Sequence, residues 1–402
     1  VSAEDTDGWG KDPGVSGPAH YCEGAAVLET GDGFFRAASR PARDFGVLLV
    51  RTLATGAAPG LVRVLDGMAG CGIRALRYGL EGGATAVWAN DADPDRLPLL
   101  ERNLARLPAG VERRAGTATA QQLLAGCLVE GRRFELVDLD AFGCPAALVP
   151  LALEAVAFGG VLYLASTDGR SATGHDRRAA LRRFGAAARA HPASWEIALR
   201  LQLALVARTA WAMGRGITPL LSFSEGRAFR TALLLERHPA RGEEGQLGLV
   251  AHCHGCGDQQ VQNLGRLGRW RACGCPGGAS GEGPPLAVSG PLWIGPLQDP
   301  ATLTAMLREA DGSGAHLDRP GRRLLERLRA DPAATPRCWP VAAIARRLGQ
   351  GPPPLADLVA ALMAQGFATA ASGVMPGQLR SEAPWPVIVA TARGLVAATA
   401  AR

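Results

Sequence analysis

Leu61-Val-Arg-Val-Leu65 runs directly into Asp66-Gly-Met-Ala-Gly70-Cys-Gly72. The first five residues read as a buried strand, rich in β-branched and apolar side chains. The acid and glycines that follow read as a tight turn, and residues 73–82 have the spacing of an amphipathic helix. Glycine at 70 and 72 permits left-handed backbone and close approach of a ligand to the main chain. A strand, a glycine-rich turn and a helix whose first N–H groups are free make the first unit of a nucleotide-binding sheet. On either side of this unit short apolar runs alternate with longer amphipathic ones. Residues 86–89 predict a second strand and 94–107 a helix; 134–139 predict a buried strand, 145–157 a helix and 160–165 another strand. This alternation predicts an α/β, doubly wound, Rossmann-like parallel sheet with crossover helices. A long helical stretch is expected over 175–213 and a late strand over 232–236.

Past about residue 245 the composition turns to Gly, Pro and Cys, with loops at 274–285 and 352–354. A second, smaller α+β domain is expected there. Residues 340–348 and 354–365 read as helices and 367–388 as a hairpin-like tail, an order compatible with a winged-helix part.

The chain has 402 residues, 43 Lys+Arg against 37 Asp+Glu, 47% hydrophobic and 20% charged residues. This balance excludes disordered, collagenous and fibrous classes. The longest apolar stretches, 151–166 and 201–213, are interrupted by Glu154 and Arg208, so no membrane span is expected. Glu4, Asp5 and Asp7 precede any apolar run, the wrong order for a secretory signal, and a cytoplasmic protein is expected. Lys11 is the only lysine, a bias that a GC-rich genome explains. Residues 1–150 carry 15 basic and 19 acidic groups, whereas 151–402 carry 28 and 18. The basic excess of the second part suits a polyanionic partner, and equally a plain solvated surface.

Gly70-Cys-Gly-Ile-Arg-Ala75 fits the dinucleotide fingerprint G-x-G-x-x-A, with Asp91 about 20 residues further on to hold ribose hydroxyls. Asp66 favours S-adenosylmethionine over NAD, because a carboxylate there meets a cationic amino-acid moiety and would repel a pyrophosphate. A ligand-free structural turn stays open. The later strand ends in Asp138-Leu-Asp-Ala-Phe-Gly-Cys-Pro145, at the sheet edge where open α/β folds bind ligands. The exocyclic amine of a nucleobase is a poor nucleophile, its lone pair being delocalised into the ring. Asp140 can accept its N–H protons, and Phe142 can offer a stacking face to an extruded base. The plain alternative is a strand-end acid capping the next helix, with Phe142 in the core.

These motifs, with Glu23-Gly24, Phe34-Phe-Arg36, Arg43-Asp44, Thr167-Asp168, Gly174, Phe184-Gly185, Glu196 with Arg200, Ser222 to Arg230 and Gly290-Pro-Leu-Trp-Ile-Gly-Pro296, resemble the tRNA (guanine-26, 2-amino) dimethyltransferase family in order and spacing. The resemblance implies a class I methyltransferase that transfers one or two methyl groups from S-adenosylmethionine to the 2-amino group of a tRNA guanine. It implies Asp140 as proton acceptor, Phe142 as stacking wall, and Asp66, Gly70, Gly72 and Asp91 at the cofactor. Arg36, Arg43 and Asp44 match positions beside the cofactor and target base; an ion pair of Arg43 in the surroundings of Asp44 is the structural alternative. Two departures stand out: Ala141 replaces the usual Pro, and Thr117-Ala118 stands where an Asp-Ala pair contacts adenine. The expected division is a methyltransferase domain over 18–241 and a tRNA-binding domain over 242–402. Methylation of another RNA or a DNA base, and a non-catalytic tRNA-binding protein, are the alternatives.

Cys253, Cys256, Cys273 and Cys275 can close a tetrahedral structural zinc site in a segment without a core of its own, with His252 and His254 as substitutes. The odd total of nine cysteines argues against a disulfide framework. Arg177, Arg178, Arg182 and Arg183, and Arg322, Arg323, Arg327 and Arg329, lie at helical spacing and can grip phosphates or simply face water. No protein partner is implied.

Overall fold

The computed structural model describes residues 20–56, 60–226, 228–273, 275, 286–312, 314 and 316–400. Seven strands form its central sheet: β1 (Arg63–Asp66), β2 (Ala86–Asn90), β3 (Glu112–Gly116), β4 (Phe134–Asp140), β5 (Val156–Ser166), β6 (Gly216–Glu225) and β7 (Ala228–Glu236). Their order is β3-β2-β1-β4-β5-β7-β6. The first five are parallel, and β7 is antiparallel to both β5 and β6. Helical crossovers allow the parallel part, and the short β6–β7 turn makes a hairpin that inserts β7 against β5. The chain reverses direction across the sheet between β1 and β4. The loops leaving their C-terminal ends part there, which opens a cleft. Register places Asp66 beside Asp138 at that edge.

Both faces of the sheet are covered. Leu136, Val137 and Leu139 of β4 are fully buried, as are Phe45, Leu49 and Val50 of helix α1 (Arg40–Thr55). Helix α2 (Ile73–Leu80) follows the glycine turn. The long helix expected over 175–213 is two helices, Arg177–Phe184 and Ser194–Ala212. Gly185 ends the first with φ +58°, a left-handed cap that glycine adopts freely. Strand β6, absent from the sequence expectation, tolerates Pro219 because it is the sheet edge.

The change of composition near 245 is not a break in the core. Leu247, Val250, Leu292, Trp293, Leu303, Met306, Leu325 and Leu328 belong to the same apolar cluster as the central sheet. A separate core begins with Trp339 and includes Ile344, Leu358, Leu362, Leu379 and Ile388. It is built from strand Cys338–Pro340, helices Val341–Leu348 and Leu355–Ala364, strands Thr369–Ala371 and Gln378–Ser381, and helix Trp385–Ala400. The strand-helix-helix-hairpin order is that of a winged helix; the final helix replaces the end of the expected tail.

Buried ion pairs tie this unit to the sheet domain. Arg380 donates to Glu196 at 2.6 and 2.7 Å and to Asp331 at 2.8 Å. Arg200 pairs with Glu196 and donates to the carbonyls of Trp293, Gly295 and Ala333. Removing one partner from such a pair costs about 3–5 kcal/mol. Among the described residues no helix is long and apolar enough to cross a membrane.

Candidate active site

The turn after β1 is anchored to both neighbouring strands: Gly67 N–H donates to the Asp138 carbonyl at 2.9 Å and Ala69 N–H to the Asn90 carbonyl at 2.8 Å. Gly70 and Gly72 have φ of +56° and +80°, where a side chain is strained. A Cβ at Gly70 would meet nothing within 4 Å, because it would project into a cleft of about 600 Å³. Asp91, at the end of β2, accepts from Gly70 N–H at 2.8 Å and from Asp93 N–H at 3.0 Å, which fixes its carboxylate at the rim.

Asp140, the last residue of β4, faces the same cleft. Its Oδ2 accepts from Arg74 at 2.9 Å and its Oδ1 from Arg230 at 2.9 Å. Burial acts to raise its pKa, but Arg74 and Arg230 outweigh burial and hold the carboxyl well below the usual range. Asp140 is therefore an ionised acceptor with its two oxygens fixed in direction. Arg74 also reaches Asp138 at 3.4 Å, and Asp138 accepts from the Tyr78 hydroxyl. Beyond Asp140, Phe142 and Phe34 stand edge to face at 5.6 Å. They are 73% and 76% exposed, an unusual state for two large rings meeting at the mouth of a cleft. Phe142 is thus not in the core.

The other expected site residues are placed as follows. Arg36 is exposed and lines the cleft. Arg43 also lines it, but most of its N–H groups are engaged: Nε and Nη2 donate to Glu23 at 2.8 and 2.6 Å, and Nη1 and Nη2 to the carbonyls of Arg36 and Ala37. It holds the loop that carries Phe34 and Arg36. Asp44 accepts from fully buried Arg77, which also bonds Glu23 and Glu81. Asp66 is fully buried and outside the cleft lining, and its two oxygens lack hydrogen-bond partners among the described residues. Burial, then the neighbouring Asp138 carboxylate, push its pKa up and favour the neutral acid. Thr117 and Ala118 are also outside the lining, because the Asn90 side chain clamps the Ala118 N–H and carbonyl at 3.0 and 2.8 Å. The lining residues on this stretch are Thr119, Ala120 and Gln121.

Sequence reasoning gave Arg74 no role, nor Phe34 and Arg230 beyond their motifs. Arg74 left one signal, a charge in the first turn of a helix whose neighbours Ile73, Ala75 and Leu76 are all buried.

The four cysteines come together: the Sγ atoms of Cys253, Cys256, Cys273 and Cys275 lie within 4.8 Å of one another. Cys253 is 3.4 Å from Cys273 and 3.6 Å from Cys275. Tetrahedral zinc with bonds of about 2.3 Å requires sulfurs roughly 3.8 Å apart, so this donor set fits the ion and could hold it. His252 and His254 are not part of the group; their rings contact each other at 4.8 Å. In the arginine runs, Arg183 bonds Asp168, Arg322 bonds Asp311 and Arg327 bonds the Gly373 carbonyl.

Comparison with known proteins bears on the same features. A tRNA (guanine(26)-N(2))-dimethyltransferase from Pyrococcus horikoshii is 26% identical over 344 residues, covering 82% of this chain and 85% of that one. One from Methanosphaerula palustris is 29% identical over 360 residues, covering 89% and 90%. The solved complex of Trm1 from Pyrococcus horikoshii with S-adenosyl-L-methionine superposes with a TM-score of 0.80 at 25% identity, covering 92% of this chain and 99% of that one. The family profile described as N2,N2-dimethylguanosine tRNA methyltransferase matches residues 19–393, from the hairpin that supplies Glu23 to the last helix, and the chain belongs to that family.

Proposed function

We propose that this protein methylates the 2-amino group of guanine 26 in tRNA, once and then again, with S-adenosylmethionine as donor. The observation that carries the reading is Asp140. It is an ionised carboxylate held by Arg74 and Arg230 in the same cleft as the open Gly70 turn, next to two exposed rings. A cleft of about 600 Å³ is within the usual range for a small-molecule site, ~300–1,000 Å³.

Bound S-adenosylmethionine supplies an electrophilic methyl group on a sulfonium sulfur. The Gly70–Gly72 turn and Asp91 would hold it, the turn through close backbone approach and Asp91 at the ribose hydroxyls, with Thr119 and Gln121 nearby. Arg36, which forms no ion pair among the described residues, suits the cofactor carboxylate or the phosphate of the target nucleotide. Phe34 and Phe142 take the faces of an extruded guanine. Asp140 accepts hydrogen bonds from the 2-amino N–H groups and draws the nitrogen toward the pyramidal form in which its lone pair is available. As N–CH₃ forms and S–CH₃ breaks, the nitrogen becomes cationic and strongly acidic. A carboxylate of depressed pKa then suffices to take its proton and pass it to water. The monomethylated amine keeps one N–H for Asp140, which permits a second round. The four cysteines hold zinc in a structural role, and the protein works on tRNA in the cytoplasm.

The test is transfer of labelled methyl from S-adenosylmethionine to an unmodified tRNA transcript. Label in tRNA supports the reading. Cofactor binding with no label in any tRNA contradicts it.

A further inference from the structure

A second cavity, of about 560 Å³, opens where the cysteine knuckle meets the C-terminal unit. Its wall carries Arg271, Arg337, Arg347 and Arg393 against a single carboxylate, Asp258, which already accepts from Gln260 at 3.0 Å. Among the described residues none of these four guanidinium groups makes a hydrogen bond or ion pair. By contrast the buried Arg77, Arg200 and Arg380 are each held in ion pairs. Burial lowers the pKa of half-buried Arg337, with Glu382 and then Asp258 acting the other way and Arg271 adding weakly to the lowering. Four cations that outnumber the carboxylates near them, Asp258 and Glu382, repel one another, and a polyanion relieves that cost.

The cavity walls are fixed. Trp385 stacks on Trp339 at 5.5 Å and 14°. The Trp385 indole N–H donates to the Cys256 carbonyl at 2.6 Å, and that of Trp339 to the Gly257 carbonyl at 2.8 Å. The Gln259 side chain bonds both the N–H and the carbonyl of Cys338, at 2.9 and 2.7 Å. The backbone of Arg271, two residues before Cys273, is held in the same way by the Gln260 side chain at 3.0 and 2.8 Å. The position of each wall thus depends on the closed cysteine group.

We propose that this arginine cleft is a second RNA-binding site, separate from the reaction cleft, that grips the sugar-phosphate backbone of the tRNA substrate with the cysteine knuckle as its scaffold. The proposal rests on the tRNA reading above. Guanidinium forks match phosphate oxygens in bidentate geometry. Trp385 is only 5% exposed and its ring is committed to Trp339, so among the described residues the cleft has no free aromatic face for a base. It therefore grips phosphates without regard to sequence.

The test combines Arg271→Gln, Arg347→Gln and Arg393→Gln, three exposed residues whose loss leaves no buried partner. If three phosphate contacts are lost, the slope of log affinity against log salt becomes shallower by about 2, at ~0.7 per contact, and tRNA binding weakens at least about tenfold near 0.15 M salt. KM for tRNA rises, while S-adenosylmethionine affinity, kcat at saturating tRNA and the melting temperature stay at wild-type values. Cys273→Ser is expected to weaken tRNA binding in the same way with cofactor affinity intact. Unchanged tRNA affinity and salt slope in the triple variant, with a wild type that methylates tRNA, overturns the proposal and leaves the function standing. If pyrophosphate binds the wild type and not the triple variant while tRNA affinity is unchanged, the cleft takes a small phosphate ligand and the proposal falls. A wild type that neither binds nor methylates tRNA removes both readings.

Discussion

Asp140→Asn keeps the shape of the side chain and removes its charge. Each carboxylate oxygen now serves one buried guanidinium, Arg74 and Arg230, both at 2.9 Å. An amide has one acceptor and one NH₂ group, so one of the two arginines must face a donor. Arg74 retains Asp138 at 3.4 Å, whereas the other carboxylate near Arg230, Glu225, is 3.9 Å away. Arg230 is thus the group left short of a partner. Stranding half of a buried pair costs about 3–5 kcal/mol, reduced here to about 1–3 kcal/mol by solvent at the exposed side of Asp140. The melting temperature falls by several degrees, at about 2–4 °C per kcal/mol for a large domain. Turnover falls much further. Loss of a group that handles the amine protons costs about 10²–10⁴-fold, or roughly 3–5 kcal/mol of barrier. The assay is single-turnover methyl transfer at saturating tRNA and cofactor, below the melting temperature of the variant, with tRNA affinity measured alongside. Affinity stays within a few fold of wild type, because phosphate contacts dominate it. Turnover within tenfold of wild type in a folded variant would remove Asp140 from the chemistry.

Phe34→Ala and Phe142→Ala each lower kcat/KM for tRNA by about 5–150-fold, the ~1–3 kcal/mol of a lost stacking face. Their melting temperatures stay unchanged because the rings are 76% and 73% exposed; steady-state kinetics and melting curves check both. Gly70→Ala places a methyl in open cleft at φ +56°, so stability falls by only about 1–2 kcal/mol while S-adenosylmethionine affinity drops more steeply, as equilibrium dialysis would reveal. Burial lowers the His191 pKa from 6.5 to about 3, so the folded chain keeps it neutral while the unfolded chain takes a proton below pH 6.5. Its contribution is full above that pH and is lost as pH falls toward 3, at up to about 1.4 kcal/mol per pH unit. His191→Asn, which can still accept from Ala193 N–H, flattens the loss of stability between pH 6.5 and 4.5, and an unchanged slope in thermal melts refutes this.

The parts legible in the sequence are those specified locally. The apolar run of β1, its acid and its glycines lie within a dozen residues, and the β4 acid with its nearby aromatic is a short motif. The parts not legible depend on distant pairing. Arg74 and Arg230 acquire meaning only when folding brings them to Asp140 from 66 and 90 residues away. Asp66 follows the expected pattern, yet register with Asp138 buries it under the turn. The Asn90 clamp shifts the cleft lining from Thr117 and Ala118 to Thr119 and its neighbours. Strand β6 contains Pro219 and polar residues, which only an edge position reconciles with a sheet. The last helix was obscured by Pro384 and Pro386, which read as turn residues although proline also suits a first helical turn.

The most direct test of the central claim is nucleoside mass spectrometry of tRNA after reaction with S-adenosylmethionine, using a wild-type transcript beside one with guanine 26 changed to adenine. The account predicts N2-methylated and N2,N2-dimethylated guanosine in the first and neither in the second. Methylated guanosine in equal amount from both, or methylation at a base atom other than the 2-amino nitrogen, would contradict it.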